Sequence, residues 1–252
     1  MIHRPLESCL FGDGKDTARI CNLLDLLEVS NKYCASTIEA RTLDKLTDLT
    51  TAKNVADLEI SVRLRILEVA TLVGSDSLAE HSRASLLQSM WTHTSSYDDS
   101  ERETLGFTEV LAFGKKAHDS EMIGAAYYAI MCNGPEWWAS HDDIDVLDRR
   151  RLTNGMMRCA EKWHDIETEW ASEGFGCHLK CAQKRDVFDA SLRIQAQRGI
   201  EWYDVVGKIK ATMSGNSSLR LNSSCEAQID ETVDGVLHRV RSDLYDYFMK
   251  KI

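Results

Sequence analysis

A stripe of apolar side chains at helical spacing constrains the fold of this sequence more than any other feature. Its members step along the chain by 4, 3, 4, 3 and 4 positions, which keeps them on one face of an α-helix. They are Leu152, Met156, Cys159, Trp163, Ile166 and Trp170. The spacing predicts a long helix from about Asp142 to Ser172 with this stripe buried, because seams of Met and aromatic residues usually form core. A groove for a partner is the alternative for the two tryptophans.

Similar spacing recurs along the chain and predicts an all-α fold, an irregular bundle or array of about nine to ten helices. Only two prolines, Pro5 and Pro135, occur in the 252 residues, whereas a sandwich or barrel needs many turn signals. Trp137 and Trp138 follow such a turn, and we expect them in a loop. The expected parts are an N-terminal segment at 1–49, a helical body at 50–213, a flexible linker at 214–224 and a C-terminal amphipathic helix at 225–252.

Charge and hydropathy exclude two classes of partner. The chain has 30 Lys and Arg against 40 Asp and Glu, a formal charge of −10, which disfavours binding to nucleic acid phosphates. The longest nearly uncharged apolar run, Met122 to Cys132, is about half the length of a bilayer span and predicts a buried core helix. The first residues lack the apolar centre of a signal peptide. We therefore expect a cytoplasmic or nuclear protein that binds neither nucleic acid nor membrane.

The cysteines offer one candidate metal site. Most of the eight cysteines fall within helical patterns, where a thiol usually serves as a small buried apolar group. Cys159, His164, Cys177 and Cys181 could supply the thiolate and imidazole ligands of a structural zinc ion. Their spacing matches no standard zinc signature, so we expect no cofactor, and a zinc-stabilised module is the second hypothesis.

Catalytic signatures are missing from the sequence. No Gly-x-Ser-x-Gly elbow and no cysteine-protease signature occurs. The segment from Gly12 to Thr17 resembles a phosphate-binding loop, but Asp16 follows Gly-Lys where that loop requires Ser or Thr. We therefore expect a protein without enzymatic activity, and an unrecognised enzyme is the third hypothesis.

Two apolar seams are the candidate interaction surfaces. One lies near the N-terminus and the other on the C-terminal helix, and each repeats at helical spacing. Their candidate residues are Leu23, Leu24, Leu27, Val233, Val236, Val240 and Leu244. Such seams must be covered, either by the chain's own helical body or by a partner helix or second copy of the chain. The second possibility predicts a concentration-dependent dimer.

Two N-terminal segments carry a family resemblance. Leu27 to Tyr33, followed by Ile38 to Leu46, resembles the last helices of a BTB/POZ domain, with Ser30 where that family usually has Ala. The following chain is similar to the helical region after the BTB/POZ domain in a set of fungal proteins, through Leu105-Gly106-Phe107 and the segment 177–194. Residues 1–49 would then be a remnant of the BTB/POZ domain.

The resemblance implies a protein-interaction module, because BTB/POZ proteins can act as dimeric adaptors for cullin ubiquitin ligases. We expect the elements that build the BTB dimer and cullin surfaces in that family to be missing before Met1 in this protein. We therefore expect a truncated adaptor with an unidentified protein partner, and cullin binding is in doubt.

Overall fold

The computed structural model describes residues 14–52, 55, 58–93, 106–173, 200–216 and 223–250. Within these ranges every regular element is a helix, so the predicted all-α fold is confirmed. The described helices are α1 (Gly14–Lys32), α2 (Ser36–Ala52), α3 (Ile60–Leu72), α4 (Asp76–Thr92), α5 (Phe107–Ala117), α6 (Ser120–Cys132), α7 (Pro135–Ser140), α8 (Val146–Glu173), α9 (Val205–Asn216) and α10 (Ser223–Met249).

The chain forms two compact units, Met1–Ser89 and Met90–Ile252. The predicted parts had their first boundary near residue 49, at the end of α2. In the structure α1, α2 and α3 instead share one hydrophobic cluster that also includes Leu78 of α4. Because this shared core spans the predicted boundary, the N-terminal segment and the first part of the predicted body belong to the same unit.

Two helices of the first unit end at a residue with a left-handed backbone conformation. After α3, Gly74 adopts a left-handed φ of 72°, and Ser75 N–H donates to Ala70 O at 2.9 Å. This Schellman motif satisfies carbonyls that the end of a helix leaves without partners. After α1, Cys34 takes the same left-handed position with φ of 53°. A non-glycine residue there carries a steric cost that glycine avoids.

Helix α6 is the centre of the second unit. Every residue from Met122 to Cys132 is buried, which confirms the predicted core helix. Helices α5, α7, α8 and α10 pack against α6, and α9 contacts both α8 and α10. The predicted apolar stripe on α8 is also buried along its whole length, so its interpretation as core is confirmed.

Two glycines allow α10 to lie close to its neighbours. A Cβ added at Gly124 of α6 would lie 2.7 Å from the backbone nitrogen of Tyr245, and one at Gly155 of α8 would lie 1.9 Å from Cε1 of Phe248. Arg158 of α8 further donates to the carbonyls of Asp246 and Tyr247, at 2.9 and 3.0 Å. The C-terminal helix is therefore docked on the helices of its own unit.

Several predicted boundaries differ from the structure. Trp137 and Trp138 lie in the short helix α7 and not in a loop, because Pro135 at its first position suits a helix start. Helix α8 begins at Val146, since the Asp145 carboxylate accepts from Asp148 N–H at 2.7 Å and caps it. In the predicted linker, α9 extends to Asn216 and α10 begins at Ser223, while residues 217–222 lie outside the described ranges.

Candidate protein-binding surface on helix α1

The N-terminal candidate residues lie on the inner face of α1. Leu24 and Leu27 have no exposed surface, and Leu23 is partly buried against the same hydrophobic cluster. They pack with Ile20 onto the first unit's other helices. Leu24 and Leu27 therefore cover the protein's own core, and Leu23 lies at the edge of that core.

A second set of side chains follows the outer face of α1 and is exposed. Its members step by 3, 4, 3 and 4 positions, the spacing of a helix-pairing seam. They are Arg19, Asn22, Leu26, Val29 and Tyr33, and we call them the α1 strip. The apolar members Leu26, Val29 and Tyr33 are 42%, 52% and 71% exposed. Three successive exposed apolar residues on one helical face differ from the scattered single residues of an ordinary surface.

An ion pair fixes the rotation of α1. Arg65 of α3 forms a salt bridge with Asp25, and its guanidinium lies 3.8 Å from Glu28. Burial alone would lower the pKa of Arg65, but the hydrogen bond and charge of Asp25, with the charge of Glu28, raise it overall. The pair joins α1 to α3 beside the strip. Together with the buried leucines, it holds the strip pointing outward.

Hydrogen bonds hold the turn between α1 and α2. Cys34 N–H donates to Asn31 O at 3.1 Å, and Ala35 N–H donates to Ser30 O at 2.8 Å. The Asn31 amide donates to the Glu39 carboxylate on α2 at 3.3 Å. This short connection places Ile38, which is 49% exposed, soon after Tyr33.

The C-terminal candidate residues are covered by the chain itself. Val233, Val236, Val240 and Leu244 are all buried. Helix α10, which carries them, packs against α6, α8 and α9. Docking on the chain's own body therefore accounts for this seam.

The candidate zinc ligands do not converge where the structure describes them. Cys159 is fully buried in the core, whereas His164 of the same helix is exposed to solvent. Burial, followed by the charge of Asp204, raises the pKa of the Cys159 thiol, which disfavours the thiolate that zinc requires. Cys177 and Cys181 lie outside the described residues. Over the described ranges, no three His, Cys, Asp or Glu side chains are arranged to hold a metal ion.

One buried polar network joins three helices of the second unit. Asp148 of α8 accepts from Lys115 Nζ at 2.7 Å, from Tyr127 OH at 2.5 Å and from Arg151 at 3.2 Å. Burial alone would raise the pKa of Asp148, but these hydrogen bonds and the Lys115 charge lower it overall. Burial and the neighbouring carboxylate raise the pKa of Tyr127. With its acceptor oxygens so well satisfied, the carboxylate has a structural role.

A second network stabilises the start of α9. Asp204 is fully buried, and its carboxylate accepts from Tyr128 OH and from Gly207 N–H, the latter at 2.7 Å. Tyr128 OH in turn accepts from Val206 N–H at 3.2 Å. The carboxylate thus caps α9, and a Cβ at Gly207 would lie 2.3 Å from its Oδ2 atom. Burial, followed by the charge of Asp204, raises the pKa of the nearby Cys132 thiol, so this thiol is a poor nucleophile.

The α1 strip is a candidate surface that was not among the residues predicted from the sequence. Its spacing is visible in the sequence, but the prediction named the more apolar stripe on the opposite face of α1. In the described part of the chain, no helix has the length and apolar character needed to cross a bilayer. The chain was compared with protein-family models, with curated proteins and with solved structures, and none of these comparisons found a match.

Proposed function

We propose that this is a non-catalytic protein-interaction protein, and that the α1 strip pairs with the α1 strip of a second copy. The observation that supports this proposal is the exposure of Leu26, Val29 and Tyr33 on successive turns of a helix held rigidly by its inner face. Apolar area removed from water stabilises association by about 25 cal/mol per Å², and a strip of this kind is typical of a helix-pairing surface.

The order of residues along the strip favours an antiparallel pair centred on Leu26. Arg19 and Tyr33 lie equally far from that centre, since 26 − 19 = 7 and 33 − 26 = 7. An antiparallel arrangement therefore places the Arg19 guanidinium of one copy beside the Tyr33 ring of the other, a favourable cation–π contact. A parallel arrangement would place the two Arg19 charges together.

The family resemblance supports the same class of function. Its segments at Leu27–Tyr33 and Ile38–Leu46 fall on α1 and α2, and the resemblance implies a protein-interaction module. An adaptor that works in the cytoplasm or nucleus is the proposal that follows from this resemblance. The proposed surface uses residues of this chain alone and requires no cullin contact.

Sedimentation velocity tests the proposal over a concentration range of about 1 µM to 1 mM. We expect a reversible dimer in the wild type. Leu26→Glu should raise the dissociation constant at least about 30-fold, because each copy brings a charge into the centre of the apolar contact. The matched control is Leu72→Glu, which places the same charge on another exposed leucine of the first unit.

The direction of pairing has its own test. Arg19→Ala should weaken an antiparallel dimer by removing the cation beside Tyr33, whereas it should strengthen a parallel dimer by removing repulsion. A wild type that stays monomeric throughout the range contradicts the proposal. The proposal is also contradicted if Leu26→Glu and Leu72→Glu raise the dissociation constant of the dimer by the same factor.

A further inference from the structure

The second unit contains a cleft that the proposed self-association does not use. It has a volume of about 330 Å³ and lies between the end of α4, the start of α6 and the middle of α10. Its polar lining includes Ser120, Glu121, His238, Arg241 and Ser242, and Trp91 forms an aromatic wall. The volume is at the lower end of the range for small-molecule sites.

Arg241 is a half-buried cation that lines this cleft. Its guanidinium carbon lies 5.3 Å from the centre of the Trp91 ring. Its Nε atom is buried and forms no hydrogen bond to any described residue. Burial lowers the pKa of Arg241, and the charge of Asp234 only partly opposes this effect. Guanidinium donors in such a position are well suited to a carboxylate or phosphate ligand.

A second cation, Lys210, also contacts Trp91. The Lys210 ammonium of α9 donates to the Trp91 carbonyl oxygen. Burial and then the charge of Arg241 lower the pKa of Lys210, so the two cations are close enough to repel each other. An anion bound at Arg241 would offset that repulsion.

The other polar groups restrict the kind of anion. Ser120 and Ser242 carry hydroxyl groups that can donate to an oxyanion or accept from a ligand hydroxyl. The Glu121 carboxylate only accepts when it is ionised, and it repels a bare anion. A ligand that combines an oxyanion with hydroxyl donors matches the donor groups of Arg241 and the acceptor oxygens of Glu121.

We propose that this cleft binds a small hydroxylated phosphate monoester, with its phosphate on Arg241 and its hydroxyl groups toward Glu121 and the serines. A cavity of about 330 Å³ suits a small ligand, such as one with a three-carbon chain. The site belongs wholly to the second unit and is independent of the α1 strip.

Titration calorimetry at low salt with the full-length protein tests this assignment, using glycerol 3-phosphate as the probe. We expect saturable binding with one site per chain, and at least about tenfold weaker binding of inorganic phosphate, which lacks the hydroxyl groups. Glycerol, which lacks the phosphate, should not bind detectably. Arg241→Gln should weaken the binding of glycerol 3-phosphate at least about tenfold.

Arg239→Gln is the matched control, because it removes an exposed charge from the same helix outside the cleft. It should leave binding unchanged, and circular dichroism should show that both variants are folded. Glu121→Gln is a second variant. It should reduce the ratio of the two dissociation constants, that of inorganic phosphate to that of glycerol 3-phosphate. Absence of saturable binding by the wild type up to about 10 mM overturns the proposal. The proposal is also overturned if Arg241→Gln and Arg239→Gln weaken the binding of glycerol 3-phosphate equally.

Discussion

Replacing Gly124 by alanine tests how closely α10 packs on α6. The new Cβ would lie 2.7 Å from the backbone nitrogen of Tyr245 and 3.1 Å from its Cα atom. Because these are backbone atoms, no change of rotamer can relieve the contact. Carbon contacts are most favourable at about 3.5 to 4.0 Å, so the helices must separate by about 1 Å.

The expected magnitude follows from two opposing terms. Overpacking a core costs about 1 to 3 kcal/mol, and a contact with backbone belongs at the upper end of that range. Alanine has a higher helix propensity than glycine by about 1 kcal/mol, which offsets part of the cost. We therefore expect Gly124→Ala to lower the free energy of unfolding by about 2 kcal/mol. That corresponds to a decrease in Tm of about 4 to 8 °C for a domain of this size.

Gly235→Ala is the matched control, because Gly235 lies in the exposed part of α10 and an added Cβ would meet no atom within 4 Å. Here the propensity term acts alone, so this variant should be stabilised by about 0.5 to 1 kcal/mol. The two Gly→Ala changes should therefore have opposite signs.

Tryptophan fluorescence during chemical denaturation is the appropriate measurement. All six tryptophans lie beyond Ser89, so their signal reports the second unit only. Circular dichroism reports both units, and a difference between the two curves would reveal separate transitions. If Gly124→Ala stabilises the second unit as much as Gly235→Ala, the close packing of α10 on α6 is refuted.

Three further predictions use the same unfolding assay. His118→Gly should raise the free energy of unfolding by about 0.5 to 1 kcal/mol, because His118 has a left-handed φ of 55° after α5 and glycine adopts this conformation without steric cost. A decrease in stability would contradict this explanation. Asp148→Asn should cost about 2 kcal/mol near neutral pH by leaving Lys115 with a weaker partner. The pKa of Asp148 is lower in the folded state than its ordinary value of 3.8. The stabilisation that Asp148 provides is therefore complete above pH 3.8 and is lost as the pH falls through the folded-state pKa. A loss of stability confined to the range between about pH 5 and 8 would contradict this expectation. Val236→Glu should destabilise the second unit strongly, because Val236 is buried, and a folded variant with unchanged Tm would contradict the docking of α10.

Periodicity in the sequence was sufficient to predict the helices and their buried faces. The stripe from Leu152 to Trp170 and the run from Met122 to Cys132 are both buried in the structure. Such patterns are reliable because a helix with one apolar face has few ways to remove that face from water. The helix of Trp137 and Trp138 was missed because its six residues are too short to establish a period.

The polar networks could not be predicted from the sequence. Asp148 and Lys115 lie 33 positions apart, and Tyr128 and Asp204 lie 76 apart. No local pattern links residues at such separations, because their contacts depend on how the helices pack. The cleft at Arg241 is a similar case, since its residues come from three separate helices.

Helix α1 shows why apolar spacing alone does not identify a binding surface. It carries two stripes at helical spacing, one with Leu24 and Leu27 and the other with Leu26 and Val29. The first stripe has more apolar members, and burial of a leucine stabilises folding by about 1.5 to 3 kcal/mol, so folding selects that stripe for the core. The salt bridge between Asp25 and Arg65 joins α1 to α3 beside the second stripe and adds to this preference. The less apolar stripe is therefore the one left free for association, and an interaction surface on such a helix must be sought on the face that folding does not use.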